Sequence, residues 1–235
     1  MNNHYKSLSK LFDQLARKHN LSTVFNDALT MSMCSMHRTN IQSKLLEKDE
    51  ANEALYLDIA GKYDKPELLL FSEILATLMN NTYDNPYLDL LGEYFCNEIT
   101  RGENGQFFTP EPVCDLMTML QGEEGSVEYK TILDPACGSG RTLLSFAKQN
   151  PNNLFYGADV SNSCAKMSAL NFFMNGLRGE VTWMNTLSME FYGAWHINTA
   201  GLGIVPIEKE HSRIWSNPPQ FEEQAIKVGQ QLDMF

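Results

Sequence analysis

The sequence predicts an α/β fold with a mainly parallel sheet, preceded by an all-helical region over residues 1–99. Three observations predict it. Apolar residues recur at helical spacing through the first hundred positions, and from residue 129 short strand-like runs alternate with helical stretches. A glycine-rich turn at residues 134–140 directly follows the first of those runs. The chain therefore divides into a helical region, 1–99, and a sheet-bearing domain, 100–235.

In the helical region, Leu8, Leu11, Phe12 and Leu15 share one face; Phe25, Leu29 and Cys34 follow, then Leu45, Leu46, Ala54, Leu55 and Leu57. Pro66 opens a strong apolar helix through Leu69, Leu70, Ile74, Leu75, Leu78 and Met79, since proline fits the first helical turn. The cluster from Asn81 to Pro86 reads as a turn, and Tyr87 to Ile99 as a further helix. Arg101-Gly102-Glu103-Asn104-Gly105 is a polar loop.

Beyond that loop, Pro110–Leu120 reads as helix, Tyr129–Asp134 as strand, Ser139–Lys148 as helix and Asn153–Asp159 as a second strand. Ser161–Asn175 is a helix closed by Gly176, Glu180–Met184 a third strand and Ser212–Ser216 a fourth. Residues Gly193 to Pro206 read as a long insertion before that fourth strand. The alternation implies helices on both faces of the sheet.

The formal charge of −11 limits the partners. Residues 1–100 carry 9 basic and 14 acidic side chains, and residues 101–235 carry 9 and 15. Neither half offers the Lys and Arg excess that grips duplex phosphates, so a nucleic-acid role requires a local basic patch or a partner subunit. Five scattered cysteines without a C-x-x-C pair, and an amino terminus without a secretory signal, fit a cytoplasmic protein with reduced thiols. No membrane segment and no metal site are expected.

The chemistry concentrates in Asp134-Pro135-Ala136-Cys137-Gly138-Ser139-Gly140. Glycines after a strand let the backbone turn tightly and bring the free amides of the next helix close to a ligand. Asp159 ends the next strand, where a carboxylate can accept hydrogen bonds from both ribose hydroxyls of an adenine nucleoside. Leu143 stands where the dinucleotide fingerprint needs its third glycine, and the Gly-Lys-Ser/Thr ending of a P-loop is absent. Asp134 would repel a pyrophosphate but suits a cationic amino group. S-adenosylmethionine fits this pattern better than NAD or ATP.

Four segments occur in order: Gly105-Gln106-Phe107-Phe108-Thr109-Pro110, Asp134 to Gly140, Gly157-Ala158-Asp159, and Ser216-Asn217-Pro218-Pro219. By these the chain resembles the adenine-specific, amino-methylating DNA methyltransferases, most closely the modification subunits of type I restriction systems. The resemblance covers residues 85–221, and Asp89-Leu90-Leu91-Gly92-Glu93-Tyr94 looks like the lead-in to it. It implies a Rossmann-like S-adenosylmethionine-dependent methyltransferase sheet and methyl transfer to the exocyclic amino group of adenine in DNA. It also implies that Phe108, Thr109 and Pro110 pack on the cofactor, that Asp134, Ala136, Gly138 and Gly140 form its loop, and that Asp159 holds the ribose. Asn217 and the Pro218 carbonyl, in the run ending at Pro219, would accept hydrogen bonds from the amino group of a flipped adenine. Such acceptors favour a tetrahedral nitrogen whose lone pair is free to attack.

Three departures modify these expectations. Gln220 stands where the family has an aromatic residue, so either Phe221 supplies the stacking or adenine binding is weakened by roughly 1–3 kcal/mol. Asn185 stands where Asp often touches the cofactor adenine, and its carbonyl is expected to keep that contact. Only 16 residues follow Pro219, so the carboxy-terminal strands and any recognition domain of the family are expected to be missing. The strand carrying Asn217 would then be an exposed edge. DNA would be engaged together with a recognition subunit or the missing domain, and homo- and hetero-oligomers both remain open. Two competing readings are a catalytically weak cofactor-binding module with an assembly or regulatory role, and methylation of a protein amide or an RNA base.

Overall fold

The computed structural model describes residues 3–40, 48–100, 108–121, 127–199 and 201–216. Its first helices are α1 (Asn3–Leu15), α2 (Leu21–Ser35), α3 (Glu50–Ala60) and α4 (Lys65–Asp84). Helix α1 buries Tyr5, Leu8, Leu11, Phe12 and Leu15, the predicted stripe with Tyr5 added. Helix α4 starts from a reciprocal cap in which Asp64 accepts the Glu67 amide and Glu67 accepts the Asp64 amide, with Pro66 in the first turn. It runs to Asp84, so most of the predicted turn at 81–86 is helical.

The expected helix over 87–99 is two pieces: α5 (Leu90–Tyr94), capped by Asp89, continues into a π-helical turn, Phe95–Thr100. The wider winding there serves aromatic packing. Tyr94 stacks on Phe12 at 4.7 Å and Phe25 at 5.9 Å, Phe25 meets Phe95 at 5.6 Å, and Phe95 stacks on Phe108 at 5.7 Å. An aromatic series thus runs from the helical core to the first predicted cofactor contact.

Helix α6 (Glu111–Met119) precedes the sheet, whose strands are β1 (Thr131–Asp134), β2 (Leu154–Asp159), β3 (Gly179–Asn185), β4 (Glu190–Ile197) and β5 (Ile204–Ile207). Helix α7 (Arg141–Gln149) joins β1 to β2, and α8 (Asn162–Met174) joins β2 to β3. Among the described residues strand order follows the chain, with β1 at one end of the sheet. Strands β1, β2 and β3 are parallel; β4 and β5 add antiparallel.

Both crossover helices contribute to one core with Phe155 and Val181, while Tyr156, Ala158 and Met184 face the other side and pack with Ile214. Successive crossovers of one hand, moving in one direction across a sheet, keep their helices on one face. The short helix that carries Ile214 and Trp215 covers the other face, so the described residues place helical structure on both sides of the sheet, with the two crossover helices sharing one. The main core is continuous from Tyr5 in α1 to Ile204 in β5, so the helical region and the sheet share it.

Two further expectations are corrected. Residues 193–206 are a β-hairpin rather than an insertion: β4 and β5 pair through Ala194–Ile207 and Ile197–Ile204. Buried Asn198 closes it by donating to the carbonyls of Phe172, Phe173 and Leu177 and accepting the Gly203 amide at 3.0 Å. The predicted fourth strand is instead a helical turn, α9 (Arg213–Ser216). The Ser212 hydroxyl accepts the Trp215 amide at 3.1 Å, and buried Glu180 of β3 accepts the amides of Arg213 at 2.9 Å and Ile214 at 3.4 Å. Those amides are satisfied without a strand partner, so helix wins locally.

Candidate functional site

The site is built where β1 and β2 end. Asp134 closes β1, and its Oδ1 accepts the Ala136 amide at 3.0 Å, bending the chain away from the sheet. The Cys137 amide then donates to the Ala158 carbonyl at 2.9 Å, tying the turn to β2. Gly138 (φ +55°) donates its amide to Asp159 Oδ2 at 2.9 Å. Gly140 (φ +85°) begins α7 and offers no side-chain cap, leaving first-turn amides of the helix for a ligand. A Cβ on Gly138 would lie 2.9 Å from the Phe108 ring, and one on Gly140 would lie 2.7 Å from Ser168 Oγ. Both positions therefore need glycine for dihedral and for space.

Asp159 also accepts the Ser161 amide at 2.8 Å through Oδ1, so one carboxylate organises the glycine turn and the start of the chain into α8. Burial pushes both carboxyls above the usual range. At Asp134 the Ala136 amide opposes that rise and the charge of Asp159 adds to it; at Asp159 the amides of Ser161 and Gly138 oppose it. Two partly desolvated carboxylates beside one turn favour a cation and disfavour a pyrophosphate.

A cavity of about 400 Å³ opens beside the turn. Of the predicted cofactor residues, Phe108, Thr109, Asp134, Ala136 and Gly138 line it. Gly140 is buried behind them, and Pro110 sits at the start of α6 away from the lining. Asp159 is half-buried and outside the lining, joined to the cavity wall through the Gly138 amide. Asn185 ends β3 outside the lining. Its carbonyl accepts the amides of Leu187 at 3.0 Å and Ser188 at 3.2 Å, so the acceptor expected to meet adenine is engaged by the local turn. The neighbouring Thr186 hydroxyl donates to the Pro135 carbonyl at 3.1 Å, tying the end of β3 to the same glycine turn. Asn217, Pro218, Pro219, Gln220 and Phe221 lie outside the described residues.

Sequence reasoning missed the polar network beneath the turn. Asp89, whose side chain is 1% exposed, accepts the Gly92 amide at 2.8 Å, Asn171 Nδ2 at 2.8 Å, Arg141 Nε at 3.1 Å and the Ser139 hydroxyl. Asn171 also donates to the Ser139 carbonyl at 2.9 Å. Arg141 Nη1 reaches the Thr109 carbonyl at 3.3 Å, and its guanidinium lies 6.0 Å from the Phe108 ring centroid. A Cβ on Gly92 would collide with Asp89 and Ser139, so this glycine makes the contact possible. An aspartate ahead of a helical run signals a helix cap in sequence. Its long-range partners carry no such signal.

His196, unassigned from sequence, stands 3.7 Å from Glu180. Among the described residues no helix is long and apolar enough to cross a membrane, and no group of three His, Cys, Asp or Glu could hold a metal ion.

The profile of the N-6 DNA methylase family matches residues 86–230. The methylase subunit of the type I restriction enzyme MjaVIII from Methanocaldococcus jannaschii is 27% identical over 141 residues, covering 56% of this chain and 23% of that protein. The chain thus spans less than a quarter of that relative's length. Among solved structures, one described as a class I S-adenosylmethionine-dependent methyltransferase from Listeria monocytogenes aligns with TM-score 0.43 at 14% identity, covering 76% of this chain and 52% of that one. The type I restriction-modification methyltransferase subunit from Streptococcus thermophilus aligns with TM-score 0.40 at 15% identity, covering 74% and 56%. The family match extends over more than half of the chain and includes the glycine turn, Asp159 and the Asn-Pro-Pro run: the chain belongs to the N-6 DNA methylase family.

Proposed function

We propose that the cavity beside residues 134–140 binds S-adenosylmethionine and that the chain supplies the cofactor-holding part of a DNA adenine N6-methyltransferase. The observation that carries this reading is the bond from the Gly138 amide to Asp159, which brings the glycine turn and the strand-end acid together, the pairing a nucleoside ligand needs. The residues fit the group. The cavity volume lies in the range of small-molecule sites, two positive-φ glycines clear the backbone, and Asp134 keeps Oδ2 outside its bond to Ala136.

In this reading Asp134 holds the ammonium of the methionine end and Phe108 with Thr109 closes one wall. Asp159 accepts from the ribose with lone pairs beyond those given to the two amides. When bound, the cofactor supplies an electrophilic sulfonium methyl. Asn217 and Pro218 would accept hydrogen bonds from the adenine amino group, and Phe221 would stack on the extruded base. The acidic chain would reach DNA through a basic recognition partner, which also fits the relatives' description as subunits.

Transfer of labelled methyl from S-adenosylmethionine to adenine-containing duplex tests the reading, assayed with and without a recognition subunit. Incorporation into N6-methyladenine that Asn217→Ala abolishes supports it. Incorporation into protein or RNA but never into DNA would overturn the substrate assignment.

A further inference from the structure

The lining of the cavity holds one residue of each charge. Among its described lining residues, Asp134 is the one carboxylate and Arg141 the one cation. Arg141 is the first residue of α7, and its side chain is 17% exposed. It is held by Asp89 through Nε and by the Thr109 carbonyl through Nη1. Those bonds engage two of the five N–H donors of a guanidinium, leaving three free among the described residues. Asp89 is itself fixed by Gly92, Asn171 and Ser139, so Arg141 is preset at the rim. The uncapped first turn of α7 adds positive potential on the same wall.

A cation and an anion lining one pocket match the two charged groups of an α-amino acid. We propose that Arg141 receives the carboxylate of the cofactor's amino-acid end, opposite Asp134 on its ammonium, and that Asp89 is the positioning residue for Arg141. This rests on the cofactor reading above and adds a selection rule: the site discriminates an intact amino-acid group from one lacking its carboxylate. Charge-assisted guanidinium–carboxylate bonding of this kind corresponds to about 10- to 100-fold in affinity.

Equilibrium dialysis with S-adenosylmethionine and with its decarboxylated analogue tests it. The wild-type chain is expected to prefer the carboxylated ligand by about 10- to 100-fold. Arg141→Gln should bring the two affinities within about threefold by weakening the carboxylated ligand alone, and Arg141→Lys should restore part of the preference. Asp89→Asn should reduce the preference in the same direction. Equal binding of both ligands by the wild-type chain would overturn the assignment of Arg141 and leave the cofactor site standing. Loss of both ligands in equal proportion in Arg141→Gln would show a purely structural arginine and overturn it as well. Failure of the wild-type chain to bind either ligand would remove the cofactor reading itself.

Discussion

The Asp159 carboxylate accepts the amide of Gly138 at 2.9 Å, so the end of the second strand fixes the turn that follows the first. The same side chain accepts the Ser161 amide at 2.8 Å. Replacing it with Ala leaves two amides without their acceptor and, in the proposed reading, removes an acceptor for the ribose. Asp159→Ala is expected to weaken S-adenosylmethionine binding by about 10- to 100-fold. Calorimetric titration of wild type and variant measures the difference, and equal affinities would detach Asp159 from the site.

Gly138→Ala forces a Cβ against Phe108 at a φ of +55°. The strain and the displaced ring are expected to cost about 1–2 kcal/mol of stability and to narrow the cavity. Urea unfolding reads the first effect and cofactor dialysis the second. A variant as stable and as tightly binding as the wild type would refute the packing of Phe108 on the turn.

Asp134 has its carboxyl raised by burial, so the folded chain holds this proton more firmly than the unfolded chain. Its contribution to stability therefore falls as pH rises from the ordinary aspartate range to the raised folded value, and is constant above it. Asp134→Asn removes that penalty: the urea midpoint at neutral pH should rise while cofactor affinity drops at least tenfold. In the wild type, affinity should decline as pH falls through the raised value. A destabilised variant that retains affinity would contradict the role.

Glu180 presents the opposite case. Burial pushes its carboxyl up, but the nearby His196 and bonds from Ser212, the Arg213 amide and Thr182 outweigh burial and hold it below the usual glutamate range. The stability it adds is present above the ordinary glutamate value and is lost as pH falls through the folded value. Glu180→Ala leaves the Ser212 and Thr182 hydroxyls and two amides without their acceptor, at a cost of about 3 kcal/mol. Chemical denaturation at neutral and acidic pH tests both statements, and a loss that persists undiminished in acid would argue against the linkage.

Much of this architecture was legible because it is local. The stripe of α1, the Pro66 start of α4, the glycine turn and Asp159 each announce themselves within a few residues, through periodicity or through backbone demands that few residue types meet. What was not legible depends on distant partners. Ser212–Ser216 has strand-like composition, yet Glu180, more than thirty positions earlier, satisfies its amides in a helical turn. The 193–206 hairpin was obscured by glycines and a histidine, and its pairing follows from the third strand offering an antiparallel edge. Asn185 was expected to meet adenine from the family resemblance; the loop after it takes the same carbonyl. Asp89 stood inside an expected helix but caps one, and its bonds to Arg141 and Ser139 span about fifty positions.

The central claim is that an adenosyl group and its amino-acid tail lie between Phe108, Asp134 and Gly138. A crystal grown with S-adenosylhomocysteine, the demethylated product, measures this directly. The account predicts ligand density in that cavity, with the amino group at Asp134 and the ribose within hydrogen-bond reach of Asp159. Density elsewhere on the chain, with this cavity left closed by its own side chains, would contradict it.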